Sequence, residues 1–279
     1  MSIKASGAKY DIFTKIALIL VIFIIGFLII LPLINILIYS TQPSGSAIIT
    51  GSFSDVVTRN IIWNTVKLGL TVAALGTVLG FIMAYTQARV EFRGKKILHI
   101  INLIPIISPP FAFATAIIVL FGRSGMITRG VFDWRPTLYG FPGLVLVLTL
   151  SFFPIAYMNL LGMLRSLDPA LDEAGSSLGA NKARIFRTVT LPLLIPGFAG
   201  SFLLLFIESI ADLANPIIIG GNYTVLASRA YMAINGDYDI SLAAGYSSLL
   251  LLPALLVFLV QRYWAQKKSV VSVTGKPSG

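Results

Sequence analysis

The chain has no cysteine, one histidine and little charge: of its 279 residues only 11% are Asp, Glu, Lys or Arg. Without cysteine there is no disulfide and no thiolate metal site, and the redox compartment stays open. A soluble domain of this length would carry about 25% charged residues, so the shortage points to an outer surface that faces lipid. No stretch fits the G-x-x-x-x-G-K-[ST] phosphate loop, so ATP must be handled by another chain. Acidic residues are scarcer than basic ones, 11 against 21, which leaves a net charge of +10. Such an excess suits either nucleic acid or a membrane. Its distribution along the chain selects the membrane.

What is abundant is long apolar runs. Crossing about 30 Å of hydrocarbon takes about 20 apolar residues in a helix. Six segments qualify, approximately 14–39, 62–87, 98–121, 140–164, 191–218 and 241–263. The first run, Ile16 to Ile38, exceeds the ~7–15 residues of a signal-peptide core and has no cleavage-like site after it, so it reads as a retained helix. Spanning strands are excluded, because no period-two alternation of ~10 residues recurs between turns. The expected fold is all-α and polytopic, with six transmembrane helices. Its parts are 1–60 (tail, first helix and outer loop), 61–263 (a core of five helices) and 264–279 (a C-terminal tail).

The basic residues orient these spans. The N-terminal tail (Lys4, Lys9, Lys15), the loop after helix 2 (Arg89, Arg93, Lys95, Lys96), the loop after helix 4 (Arg165, Lys182, Arg184, Arg187) and the C-terminal tail (Arg262, Lys267, Lys268, Lys276) put fifteen on one side. Five face the other side: Arg59, Arg123, Arg129, Arg135 and Arg229. Lys67 lies within helix 2 and can snorkel. The positive-inside rule places both termini in the cytoplasm, and an even helix count is what that requires. The outer loops are too short to fold around a core of their own, so selective recognition of a solute would fall to another protein.

The most informative loop lies between helices 4 and 5, over 165–192. Asp168 followed by Pro169 is a helix start, with a capping carboxylate and proline at the first helical position. Asp172 and Glu173 fall in the first turns, where the helix dipole favours negative charge. Gly179 ends that helix or permits a close backbone approach. Asn181 can cap a second short helix carrying Lys182, Arg184 and Arg187, with Leu178, Ile185, Phe186 and Val189 as its apolar side. Pro192 then opens helix 5. The result is an amphipathic helix–turn–helix knuckle suited to docking into a groove on a partner.

The pattern Glu173-Ala174-Gly175, three residues, Gly179, nine residues, Val189-x-Leu191-Pro192 resembles the EAA loop of binding-protein-dependent ABC importer permeases. Where that family usually has a second alanine this chain has Gly175, and where it often has isoleucine this chain has Val189. Across nearly the whole chain, PIISPP (105–110), FGRSGMIT (121–128), FRTVTLPLLIP (186–196), ADLANPIIIGG (211–221) and VTGK (273–276) resemble one half of the ferric-iron and aminoethylphosphonate permeases. The resemblance implies an ABC type I importer permease fold in a bacterial inner membrane, working by alternating access. Asp172, Glu173, Ala174, Gly175, Gly179, Arg184, Leu191 and Pro192 would then belong to a coupling helix seated on a separate dimer of ATPase subunits. ATP and Mg would be held there, and this chain would bind no cofactor of its own. An extracytoplasmic binding protein would deliver the solute, with ferric iron first among solutes and aminoethylphosphonate next. Many relatives fuse two such halves; here the reading is a separate partner permease, with a homodimer as the alternative.

Glu208 and Asp212 sit four residues apart in helix 5 and share a face. Intramembrane carboxylates are costly and face a cavity or a partner. With Asn215 they could line a translocation path, contact the partner permease, or cap the break at Pro216. Gly69, Ala73, Gly76, Gly80 and Ala84 give helix 2 a small-residue face, read first as packing within the chain. Pro105, Pro109 and Pro110 should kink or break helix 3. Gly122-Arg123-Ser124-Gly125 resembles the serine motif of intramembrane proteases. His99 would lie on the order of 35 Å from Ser124 along a helix, which excludes a Ser–His dyad. A stand-alone secondary transporter or channel for a small cation is the remaining rival, and it leaves the charged knuckle unexplained.

The topology is directly testable, because the native chain has no cysteine to obscure a single introduced thiol. A membrane-impermeant maleimide applied to spheroplasts should label Ser54→Cys and spare Ser166→Cys until the membrane is opened. Labelling with the opposite preference would invert the assigned orientation.

Overall fold

The computed structural model describes residues 12–109, 111–134 and 137–267, the side chains of 264–267 excepted. Lys4, Lys9, Pro110, Arg135, Lys268, Lys276 and the VTGK stretch lie outside the described residues, as does the side chain of Lys267. The described chain is helical, in the order α1 (Ile12–Ser40), α2 (Pro43–Gly51), α3 (Val56–Arg89), α4 (Lys95–Ile107), α5 (Ala112–Phe121), α6 (Phe141–Ser166), α7 (Pro169–Ser177), α8 (Lys182–Ile185), α9 (Leu191–Ala211), α10 (Ala214–Ile219), α11 (Leu226–Asn235) and α12 (Ile240–Lys267). A π-helical turn, Phe186–Thr190, joins α8 to α9. Helices α1, α3, α6 and α12, together with the stretch Lys182–Ala211, are each long and apolar enough to cross a bilayer. Taken together, α4 and α5 also pass that test, and they are bent by 110° at the break between them.

Two spans depart from straight helices, the third as its prolines predict. The third breaks where proline removes backbone donors and its ring clashes with the preceding turn. The fifth stops at Ala211 rather than running on to 218, and α10 restarts after Asp212 and Leu213. A third difference lies in the knuckle. Its second arm does not end before helix 5 but continues into it through the π turn, where the Leu191 N–H reaches back to the Phe186 carbonyl. Pro192 supplies no N–H and presses on the preceding turn, and a widened turn accommodates such a residue without breaking the helix.

Helix α3 is the axis of the bundle and packs on α6 and α9. Asp55 caps it, accepting from the Thr58 N–H at 2.8 Å and the Thr58 hydroxyl at 2.6 Å. The small-residue face is buried within the chain. A Cβ on Gly80 would sit 2.7 Å from Ala156 Cβ and 2.8 Å from Tyr157 N; one on Gly69 would meet Ile210 Cγ2 at 2.5 Å. Leu68, Val72, Leu144, Leu148, Leu160 and Leu205 fill the seams on either side. Helix α1 is the opposite case: of its residues only Ser40 is buried. It is held at its C-terminal end, where α2 crosses α12 and the Gly45 N–H donates to Ser241 Oγ at 2.9 Å.

Gly80→Leu should destabilise the bundle, toward the upper end of the about 1–3 kcal/mol typical of overpacking, because the contacted atoms include backbone. Gly162→Leu, where an added Cβ meets nothing within 4 Å, is the matched control. Thermal unfolding in detergent should separate the two; equal melting temperatures would show that the seam tolerates bulk.

Candidate functional site

Two regions gather the residues singled out in the sequence, one in the loop between α6 and α9 and one at the breaks in the spans.

The first region is the knuckle. Asp168 caps α7, accepting from the Ala170 N–H at 2.9 Å, and Asn181 caps α8, accepting from the Arg184 N–H at 2.8 Å. Helix α7 ends in a Schellman arrangement: the Gly179 N–H donates to the Ser176 carbonyl at 2.9 Å and the Ala180 N–H to the Gly175 carbonyl at 3.1 Å. Gly179 stands at φ +77° with open space where a Cβ would be, so conformation rather than crowding within the chain demands glycine here. Gly175 brings the two arms together, with Ile185 Cγ1 3.0 Å from where its Cβ would lie.

The expected apolar side divides. Ile185 is buried and Phe186 packs inward on α3, its ring 5.4 Å from Tyr85 and 6.2 Å from Phe81. Phe186 therefore anchors the knuckle to its own bundle rather than to a partner. Leu178 is 88% exposed, and Glu173, Ala174, Gly179 and Arg184 are exposed around it. Asp172 behaves differently from Glu173: its carboxylate is ion-paired with Arg89, the last residue of α3. Leu191 and Pro192 lie exposed at the first turn of α9.

The inner region is a cavity of about 550 Å³ at the breaks in the third and fifth spans. Pro105, Ser108 and Pro109 line it from the α4–α5 bend, Ser151 from α6, and Glu208, Asp212 and Asn215 from the α9–α10 break. Asp212 closes α9 through its N–H, 3.1 Å from the Glu208 carbonyl. Its Oδ2 accepts from the Asn215 N–H at 3.1 Å and from Asn215 Nδ2 at 2.9 Å. The capping role and the cavity-lining position thus belong to the same residues. Asn215 is 1% exposed, and its Oδ1, like Ser151 Oγ, has no hydrogen-bond partner. Unpaired buried acceptors are costly, so both oxygens are poised for a donor or a cation. Among the described residues no lysine, arginine or histidine lines this cavity. Among the described residues no three His, Asp or Glu side chains converge as a metal cage would require.

Ser151 was not anticipated from sequence. A serine in an apolar helix usually satisfies itself on the preceding turn, so its presence alone signals nothing. Arg89 was counted only toward topology. His99 proves to be tied to the bundle, with Nδ1 2.5 Å from the hydroxyl of the fully buried Tyr157.

With this geometry in view, residues 76–270 match the family described as the inner membrane component of binding-protein-dependent transport systems. The chain belongs to that family. It is 34% identical over 279 residues to the ferric transport system permease protein FbpB of Actinobacillus pleuropneumoniae, covering 97% of this chain and 40% of that protein. The chain therefore spans less than half the length of that relative. It is 28% identical over 214 residues to the molybdenum transport system permease protein ModB of Escherichia coli strain K12, covering 73% of this chain and 93% of that one. Among solved structures it resembles the bacterial alginate ABC transporter in complex with a pentasaccharide-bound periplasmic protein, at a TM-score of 0.77 and 18% identity over 91% of this chain and 94% of that one. The MetNI methionine ABC transporter in an inward-facing conformation follows at a TM-score of 0.61 and 18% identity, covering 74% and 94%. The fold is that of ABC importer permeases.

Gly179→Ala should strain the end of α7 by about 1–2 kcal/mol, the cost of a left-handed backbone for a residue with a Cβ. Proteolysis of the 178–181 turn should quicken while global melting stays unchanged. Gly179→Asn should recover most of the difference; equal cleavage in all three would show that the turn places no demand on that residue.

Proposed function

We propose that the chain is a membrane-spanning permease subunit of an ATP-driven, binding-protein-dependent importer and that it carries ferric iron. The observation that carries the solute reading is the inner cavity. Among the described residues it is lined by two carboxylates and no basic side chain, with two unpaired oxygens buried in its wall. Such a lining favours a hard cation and disfavours an oxyanion of the molybdate type, whose charge would meet two carboxylates with nothing to offset it. Two carboxylates also make a weak site, which suits passage: a conducted ion must be able to leave as well as enter. Aminoethylphosphonate, which carries an ammonium as well as a phosphonate, is the second solute in order.

The knuckle supports the coupling reading. Glu173, Ala174, Leu178 and Gly179 form an exposed surface at the cytoplasmic end, and a partner ATPase dimer supplies ATP, Mg and the stroke. In this reading a second permease subunit closes the other side of the path, a separate chain in preference to an identical one. A binding protein delivers solute from outside, and both termini lie in the cytoplasm. The permease contributes different contacts in its inward- and outward-facing states, and no covalent chemistry.

Co-expression with the ATPase and binding protein, followed by uptake of radiolabelled ferric iron, tests both halves. Glu173→Lys, or Gly179→Leu, should abolish uptake while membrane insertion stays normal. Replacing Glu208 by Gln and Asp212 by Asn together should lower uptake at least about tenfold while the ATPase still co-purifies, the loss of about 1.4 kcal/mol of cation stabilisation in the path. Native uptake in the first pair would end the coupling assignment. Native uptake in the second, or molybdate carried in place of iron, would end the cation path.

A further inference from the structure

The way α7 is held leaves something to explain. No residue of this helix is buried. Between it and the end of α3 lies an open space of about 250 Å³, bordered by Tyr85, Ser176, Lys182 and Phe186. Across that space runs the ion pair between the Arg89 guanidinium and the Asp172 carboxylate, with both side chains 31% exposed. Each partner also sits where its own helix favours it. Arg89 is in the last turn of α3, at the negative end of that dipole, and Asp172 is in the first turn of α7, at the positive end.

We propose that Arg89 is a positioning residue of the coupling machinery: its ion pair with Asp172 is the strut that sets α7 against α3 and carries displacement of α7 into that helix. This rests on reading 168–192 as the ATPase-docking knuckle. The second arm of the knuckle is already continuous with α9 through the π turn, and Phe186 is seated on α3. The first arm is joined to α6 by the short link 167–168 and meets the second arm through Gly175 and Ile185, and Arg89 is its side-chain tie to α3. Helix α3 is suited to receive it. Its 34 residues span about 50 Å, and its glycine face leaves it no slack against α6 and α9. A half-exposed ion pair adds little to overall stability, so such a strut can release and re-form without threatening the fold. It also divides the labour of the two adjacent carboxylates: Asp172 faces inward to its own chain, and Glu173 is left for the partner.

The test is a charge swap in the assembled complex. The variants are Arg89→Glu, Asp172→Arg and the two combined, each purified with its ATPase. Hydrogen exchange over 170–178 should quicken on the order of fivefold in either single variant, as the loss of a half-exposed pair would give. Exchange in α3 should stay unchanged. The ATPase should remain bound, while ATP hydrolysed per ferric ion taken up rises several-fold. The double swap should return both readings toward native. Unaltered exchange in α7 in the single variants overturns the strut, as does a double swap that restores neither reading. A native complex that retains no ATPase would instead refute the docking reading of the knuckle. The exchange measurement would still decide whether Arg89 holds α7.

Discussion

The closeness of α3 to α6 and α9 is the constraint on which the rest of the molecule depends. In lipid there is no hydrophobic gain in bringing helices together, so close contact has to come from shape. Gly69, Gly76 and Gly80 provide the shape: a methyl group would already overlap the side chains of Ile210 and Leu205 at the first two and the backbone of α6 at the third. This seam fixes α9 relative to α3 along most of the membrane thickness. It thereby fixes the distance between the knuckle at one end of α9 and the carboxylates at the other. The aromatic contacts of Phe186 with Tyr85 and Phe81 extend the same seam to the knuckle.

The cavity exists because two spans fail to be continuous at the same depth. Proline and a short polar run end one, and Asp212 ends the other by turning its carboxylate onto Asn215. Irregular backbone at membrane depth is tolerated where it lines a cavity, because that is where its polar groups can be met. The broken helices, the intramembrane carboxylates and the unpaired oxygens of Ser151 and Asn215 are thus aspects of one arrangement.

Much of this was legible in the sequence. The spans follow from the apolar runs. The caps at Asp168 and Asn181, the helix stop at Gly179 and the inward use of the α3 glycines follow from residue type and spacing, since each depends on local geometry. What escaped was non-local. That α4 and α5 fold back at 110° depends on what the bend packs against, and proline alone signals a kink without an angle. The pairing of Asp172 with Arg89 joins residues 83 positions apart, and nothing in either loop announces the other. The continuity of α8 into α9 was hidden because proline usually marks a start, and a widened turn removes that need.

That π turn has a consequence for how the chain could have arisen. A π turn is an α-helix that has absorbed one extra residue, and one residue turns everything beyond it by about 100°. The phase of Glu208 and Asp212 about the axis of α9 is therefore set separately from the phase of the exposed knuckle surface before the turn. Evolution can dial the two ends against each other by gaining or losing a single residue between Phe186 and Thr190. One helix can in this way serve an exposed knuckle and a membrane cavity that need not lie on the same meridian.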